Sequence, residues 1–202
     1  MIKGKLIFRY GTMNSGKSMM LLATAYSLQE RGIFFIILKS ALDTRDKGVI
    51  HSRSLGDREC IIVNNFDSIK EKLSNIPEAL HIAETSLPRY ILVDEAQFLT
   101  KHQVDDLASL ADDFGFTVIC YGLRTDFQTN LFDGSKRLFE IADRFEEIES
   151  ICNCGKKTIV NARIDEDGNV LTDGEQIMVG AEDKYISMCR SCYQKKILKN
   201  KI

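Results

Sequence analysis

Three groups of residues have types and spacings that suggest chemistry. The first is Gly11-Thr12-Met13-Asn14-Ser15-Gly16-Lys17-Ser18, which fits the phosphate-loop pattern G-x-x-x-x-G-K-[ST]. Gly11 and Gly16 let the backbone turn and come close to a phosphate. The N–H groups that open the next helix point at the anion, and the helix dipole favours it. In such a loop Lys17 reaches the β- and γ-phosphates and Ser18 ligates Mg²⁺. The second group is Asp94-Glu95, directly after the apolar run Tyr90-Ile91-Leu92-Val93. An acid ending a strand beside a phosphate loop helps to hold Mg²⁺, which is the expectation for Asp94. Glu95, one position on, is placed to accept a proton from an attacking hydroxyl or water. The third group is Cys152-Asn153-Cys154 with Cys189-Arg190-Ser191-Cys192. Four thiols in two close pairs predict a closed, tetrahedral structural zinc site, one that holds structure and does no chemistry.

The surrounding chain must position these groups. Leu6 to Tyr10 reads as a strand and Met19 to Gln29 as a helix, the context a phosphate loop needs. The apolar run 33–38 suits a strand buried on both faces of a parallel sheet. The fold class is therefore α/β, a mostly parallel sheet with flanking helices. Lys39 to Arg58 is polar, with Asp43, Thr44, Arg45, Asp46, Lys47, His51, Ser52 and Arg53. It reads as a long loop at the carboxyl edge of the second strand, either a ligand wall or a solvated surface. Cys60 to Val63 is a third strand, and Phe66 to Leu73 a helix capped by Asn65 or Asp67. Val104 to Phe114 is an amphipathic helix stopped by Gly115. Phe116 to Tyr121 is a buried strand leading into Gly122-Leu123-Arg124-Thr125-Asp126-Phe127-Gln128. There Phe127 is either an exposed ring able to stack on a planar ligand or a core residue; the pattern leaves both open. Ser135 to Asp143 reads as helix and Glu146 to Ile151 as the last strand. The pattern then changes at Cys152, so the expected division is 1–150 for the nucleotide-binding unit and 151–202 for the zinc unit. Between the cysteine pairs, Asp165 to Asn169 and Thr172 to Glu175 read as turns of a ribbon or long loop.

Composition limits the alternatives. The apolar fraction is 44% and the formal net charge −2, so a broad nucleic-acid-binding face is not expected. No apolar run of about 18 residues exists, so no membrane partner is expected. The start of the chain has no leader pattern, and the expected compartment is the cytoplasm. Thiols there stay reduced or bind metal, and Cys60 and Cys120 lie in apolar runs as core residues.

Taken together, the motifs resemble those of the type II thymidine kinase family. The phosphate loop, Leu38-Lys39 through Asp43-Thr44-Arg45, Asp94-Glu95-Ala96-Gln97-Phe98 and Tyr121 to Phe127 carry the resemblance. So do Val179-Gly180, Asp183-Lys184-Tyr185 and both cysteine pairs. It covers nearly the whole chain, from Gly4 to about Lys196. The C-x-C-G start is similar to one bacterial branch that sometimes has His as the last ligand, where this chain has Cys192. The resemblance implies a P-loop (RecA-like) domain and a small C-terminal zinc domain carrying a lasso loop. It implies transfer of the γ-phosphate of ATP to thymidine, giving thymidine 5′-monophosphate, with deoxyuridine as a further substrate. It implies Glu95 as the base for the 5′-hydroxyl. The ATP–Mg²⁺ site would comprise residues 11–18 with Asp94 and Gln97. Met13, Phe98, Leu123 and Phe127 would surround the thymine ring, and Asp43 and Arg45 would lie near sugar and phosphates. Gln176, Ile177, Met178, Val179 and Gly180 with Tyr185 would form the lid over the base. Arg163 would face phosphate from that lid. A homotetramer, feedback inhibition by thymidine triphosphate (dTTP) and a role in nucleotide salvage are implied as well.

Three other readings compete, one of them a phosphate-loop kinase or transferase acting on another small substrate. Asp94-Glu95-Ala96-Gln97 superficially resembles the acidic box of helicases, which suggests a motor-type ATPase. Such motors need a second domain and a basic track, and one chain of net charge −2 supplies neither. A zinc-ribbon binding module on a degenerate nucleotide fold is opposed by the intact Lys17-Ser18 and Asp94-Glu95.

Overall fold

The computed structural model describes residues 4–43, 48–50, 57–76, 88–177 and 184–199. Its centre is a six-stranded sheet, with every described pairing parallel, in the order β5-β2-β6-β7-β1-β8. These strands are β1 (Lys5–Gly11), β2 (Phe34–Ser40), β5 (Ile61–Val63), β6 (Arg89–Asp94), β7 (Phe116–Leu123) and β8 (Arg144–Ile148). Alternate residues along each strand enter opposite layers, as strand geometry requires. Ile7, Ile37, Leu92, Ile119 and Tyr121 pack against Leu21, Leu22, Ala25 and Leu28 of α1 (Lys17–Glu30). Leu6, Phe8, Ile36, Leu38, Ile91, Val93 and Val118 face the other way. They meet α2 (Ile69–Ser74), α3 (Lys101–Phe114) and α4 (Asp133–Ile141). Burial on both faces is what the unbroken apolar runs required.

Several boundaries differ from the sequence reading. Helix α3 begins at Lys101, three residues before the apolar pattern starts. Thr100 and Gln103 form a capping box whose two reciprocal bonds start the helix ahead of its apolar face. The cap of α2 is Ser68 rather than Asn65 or Asp67, and Phe66 is fully exposed outside the helix. Asp106 of α3 accepts hydrogen bonds from Ser68 Oγ and from the Ile69 N–H, so a tertiary contact fixes that start. The last strand of the sheet ends at Ile148, not Ile151, and Ile151 is 78% exposed. Within 39–58 the chain forms a small antiparallel pair, β3 (Val49–Ile50) with β4 (Arg58–Glu59). Thr44, Arg45, Asp46, Lys47, His51, Ser52 and Arg53 lie outside the described residues.

Beyond the sheet, β9 (Val160–Arg163) and β10 (Tyr185–Met188) form an antiparallel pair, followed by α5 (Arg190–Lys199). Cys152, Val160, Ala162, Val170, Met188, Cys189 and Tyr193 are buried together as a separate small core.

Candidate active site

The phosphate loop follows β1 at the carboxyl edge of the sheet and ends in α1. Asn14 (φ 59°) and Gly16 (φ 88°) are both left-handed, which turns successive N–H groups toward one concavity. At φ 88° a side chain would be strained, so Gly16 is required by backbone conformation. Gly11 is required by crowding: a Cβ there would lie 2.5 Å from Ser15 Oγ and 2.6 Å from the Ile148 carbonyl oxygen. Ser15 Oγ is buried and has no hydrogen-bond partner among the described residues, a polar atom left open inside the turn. Lys17 is buried and its Nζ donates to the Thr12 carbonyl at 2.7 Å, curled over its own loop. This donor set fits a nucleotide triphosphate.

β1 and β6 both flank β7, which brings the loop and the acids to the same edge. Ser18 Oγ donates toward both carboxylate oxygens of Asp94 at 3.4 Å, so one hydroxyl and one carboxylate face a shared position suited to Mg²⁺. Burial pushes the Asp94 carboxyl up to about 7; the neighbouring Glu95 adds to the rise, and Lys39 and Lys17 oppose it. Lys39 is the register partner of Asp94 across β2–β6. It forms a buried ion pair with Asp43 at 3.1 Å, which places Asp43 at this edge too.

Glu95 sits in the left-handed region (φ 51°, ψ 41°), an uncommon conformation for a non-glycine residue. The strand therefore stops at Asp94 and the chain reverses into a short 3₁₀ turn, Ala96–Phe98. Gln97 Nε2 donates to Glu95 Oε2, while Gln97 Oε1 accepts the Leu123 N–H at 2.9 Å. Gln97, 2% exposed, thus ties the carboxylate to the end of β7. Phe98 is half-buried and meets Phe132 edge-on, with centroids 5.7 Å apart. Leu123 is half-buried at the same edge.

Phe127 resolves toward the core: it is 1% exposed. The guanidinium of Arg163 lies 3.7 Å above its ring and donates to Tyr185 Oη at 2.6 and 2.8 Å and to the Glu175 carbonyl at 2.9 Å. Arg163, 2% exposed, is occupied by this stack. Gln176 Nε2 donates to Asp126 Oδ2 at 2.8 Å, bringing the start of the expected lid onto the loop after β7; Ile177 is half-buried beside it. Met178, Val179, Gly180 and Asp183 lie outside the described residues.

The four thiols converge. Their sulfurs all lie within 4.8 Å of one another, and Cys154 and Cys189 are 3.5 Å apart. Tetrahedral zinc with bonds of about 2.3 Å spaces its sulfurs about 3.8 Å apart, so the cluster fits the ion. Backbone N–H groups of Cys154 and Cys189 draw the Cys152 thiol down to about 6, while sharing with the other thiols pushes Cys192 up to about 12. One thiolate is thus already favoured at neutral pH, the form a metal needs.

Comparison with known proteins agrees with this geometry. Residues 4–193 match the thymidine kinase family. The chain is 42% identical to the thymidine kinase of Mannheimia succiniciproducens over 193 residues, covering 95% of this chain and 96% of that one. The chain belongs to the thymidine kinase family. It is 43% identical to the Pasteurella multocida thymidine kinase over 194 residues (96% of this chain, 98% of that one). The Rhodopirellula baltica enzyme is 41% identical over 196 residues (96% and 89%). Among solved structures, the Pif1 helicase of Candida albicans matches with a TM-score of 0.43 and 16% identity, over 72% of this chain and 36% of that one. That likeness is too loose to bear on activity. No helix among the described residues is long and apolar enough to cross a membrane.

Sequence reasoning missed a further set of residues at the site. Met13 donates its N–H to Asn161 Oδ1 at 2.8 Å and accepts from Ser187 Oγ at 2.7 Å. Thr12 Oγ1 shares hydrogen bonds with Ser150 Oγ and Thr158 Oγ1 at 2.8 and 2.9 Å. Asn161 and Ser187 belong to none of the motifs between the cysteine pairs, and a lone Asn in a short strand gives no signal.

Proposed function

We propose that the chain is an ATP:thymidine 5′-phosphotransferase. The observation that carries this reading is the meeting of Ser18 with Asp94, with Glu95 turned out of the strand beside them. A phosphate loop and a lone acid would serve hydrolysis equally well. Glu95, held by Gln97, could activate water as well; the half-buried apolar side chains of Phe98 and Leu123 at the same edge are what favour an organic hydroxyl as the acceptor. The N–H groups of residues 14–18 bind the phosphates, and Lys17 swings from its Thr12 carbonyl to the β- and γ-oxygens. Mg²⁺, held by Ser18 and Asp94, supplies charge neutralisation when bound. Glu95 accepts the 5′-hydroxyl proton as the oxygen bonds to the γ-phosphorus and the bond to ADP breaks. Met13, Phe98 and Leu123 surround the base, Phe127 backs that wall from below, and Asp43 and Arg45 lie toward sugar and phosphates. Residues 176–180 and Tyr185 close over the base, excluding water from the transfer.

The same reading divides the chain into a nucleotide-binding unit (1–150) and a zinc-bound lid unit (151–202). It makes the protein a cytoplasmic homotetramer in nucleotide salvage that accepts thymidine and deoxyuridine, and dTTP its feedback inhibitor. The test is coupled ADP release with Mg²⁺ and a panel of nucleosides, with and without single-stranded DNA. Release that requires thymidine or deoxyuridine and ignores DNA is expected. Release that ignores nucleosides and rises with DNA would replace this reading with a motor ATPase.

A further inference from the structure

The phosphate loop is bound on its outer side by the β9–β10 hairpin, through both peptide groups of one residue. Asn161 takes the N–H of Met13 and Ser187 donates to its carbonyl. These two residues are register partners, directly opposite each other across the β9–β10 ladder. The clamp is thus a single rung, whose spacing the ladder itself fixes. Asn161 is 3% exposed, and its other amide atom, Nδ2, donates to the Thr125 carbonyl at 3.2 Å. That second bond sets the amide orientation, because a flip would turn the NH₂ against the Met13 N–H. One residue earlier, Thr12 is locked through hydroxyls to Ser150 and Thr158, which are also hydrogen-bonded to each other at 2.5 Å. Immediately after the clamp, Asn14 adopts its left-handed conformation. Asn is among the few non-glycine residues that adopt it, and the surrounding contacts hold it there. The residue following the rung on β10 is Met188, then Cys189 of the thiol cluster.

We infer that Asn161 and Ser187 are positioning residues for the phosphate loop, so that the zinc-bound hairpin sets the affinity of the nucleotide site as well as carrying the lid. They touch no reacting atom. They hold the Met13 peptide planes so that the N–H groups from Asn14 to Lys17 aim at the phosphates. With Met13 N–H already taken, the anion is left to those later donors. The inference rests on the reading of residues 11–18 as the ATP site.

The test is calorimetric titration of ADP into the wild type, N161A, S187A and S187T, with melting temperature as the check on folding. N161A and S187A should weaken ADP binding about three- to tenfold, the range of one net hydrogen bond. S187T keeps the hydroxyl on a strand that tolerates threonine and should stay within about twofold of wild type. Zinc chelation of the wild type should weaken ADP binding at least as much as either alanine. A purely structural role would lower melting temperatures and leave ADP affinity intact. N161A or S187A binding ADP like the wild type, or unchanged affinity after chelation, would overturn the inference; chelation also decides the matter where a variant does not fold. A wild type that binds no ADP would instead remove the assignment of the loop itself.

Discussion

The phosphate loop is held between two supports built in opposite ways. On one side is the six-stranded sheet, with apolar layers on both faces and α1 growing directly from the loop. On the other is the β9–β10 hairpin, whose core is a handful of residues and whose contacts with the loop are hydrogen bonds. A core that small buries too little apolar surface to offset the entropy of ordering its chain, so it needs a crosslink. Zinc held by the four thiols would provide one. The groups assigned to chemistry, Asp94 and Glu95, sit at the end of a strand buried on both faces, with Gln97 holding the Glu95 carboxylate. The hairpin's grip on the loop depends on the metal.

The largest effect should come from removing zinc. Hydrogen exchange after chelation should show lost protection at 160–163 and 185–188, with β6 and β7 still protected, and thymidine-dependent turnover should fall at least tenfold. Loss of protection in both regions together would break the comparison. Next is Glu95→Gln, which leaves both supports intact and removes only the proton acceptor. Turnover should fall about 10²- to 10⁴-fold with ADP affinity unchanged. A near-normal rate would end the assignment of Glu95. Leu92→Ala opens a cavity in the sheet and should cost about 2–5 kcal/mol in urea unfolding, without releasing zinc. Zinc release by that substitution would show that the two supports are not separable.

The smallest effect sharpens the sheet side. Asp94 is raised from 3.8 to about 7 in the folded protein, chiefly by burial. In that state it keeps a proton that the unfolded chain releases. Its contribution to stability is therefore full below about pH 4 and lost as pH rises to about 7. In EDTA, the melting temperature of Asp94→Asn should gain on that of the wild type from pH 5 to pH 8, and added Mg²⁺ should close the gap by favouring the wild-type carboxylate. Parallel profiles for the two proteins would contradict the assigned burial cost.

What the sequence made legible divides along the same line. The phosphate loop, the acid pair and the thiols are local patterns fixed by covalent spacing, and the sheet strands announce themselves as unbroken apolar runs. The start of α3 was legible too, in Thr100 and Gln103, but an apolar-face reading passes over a cap that lies ahead of the face. The stack of Arg163 on Phe127 joins residues distant in sequence, and neither shows its partner in the chain. The same holds for Asn161 and Ser187, whose meaning arises only when the hairpin rung lies against Met13. Polar contacts between supports leave no periodicity to read.

The central claim is that phosphate passes to a nucleoside hydroxyl and not to water. It is tested most directly by following the γ-phosphate of labelled ATP in the presence of thymidine and Mg²⁺. Label is expected on the 5′-oxygen of thymidine monophosphate, in proportion to ADP formed. Label released as inorganic phosphate, at a rate indifferent to thymidine, would contradict it.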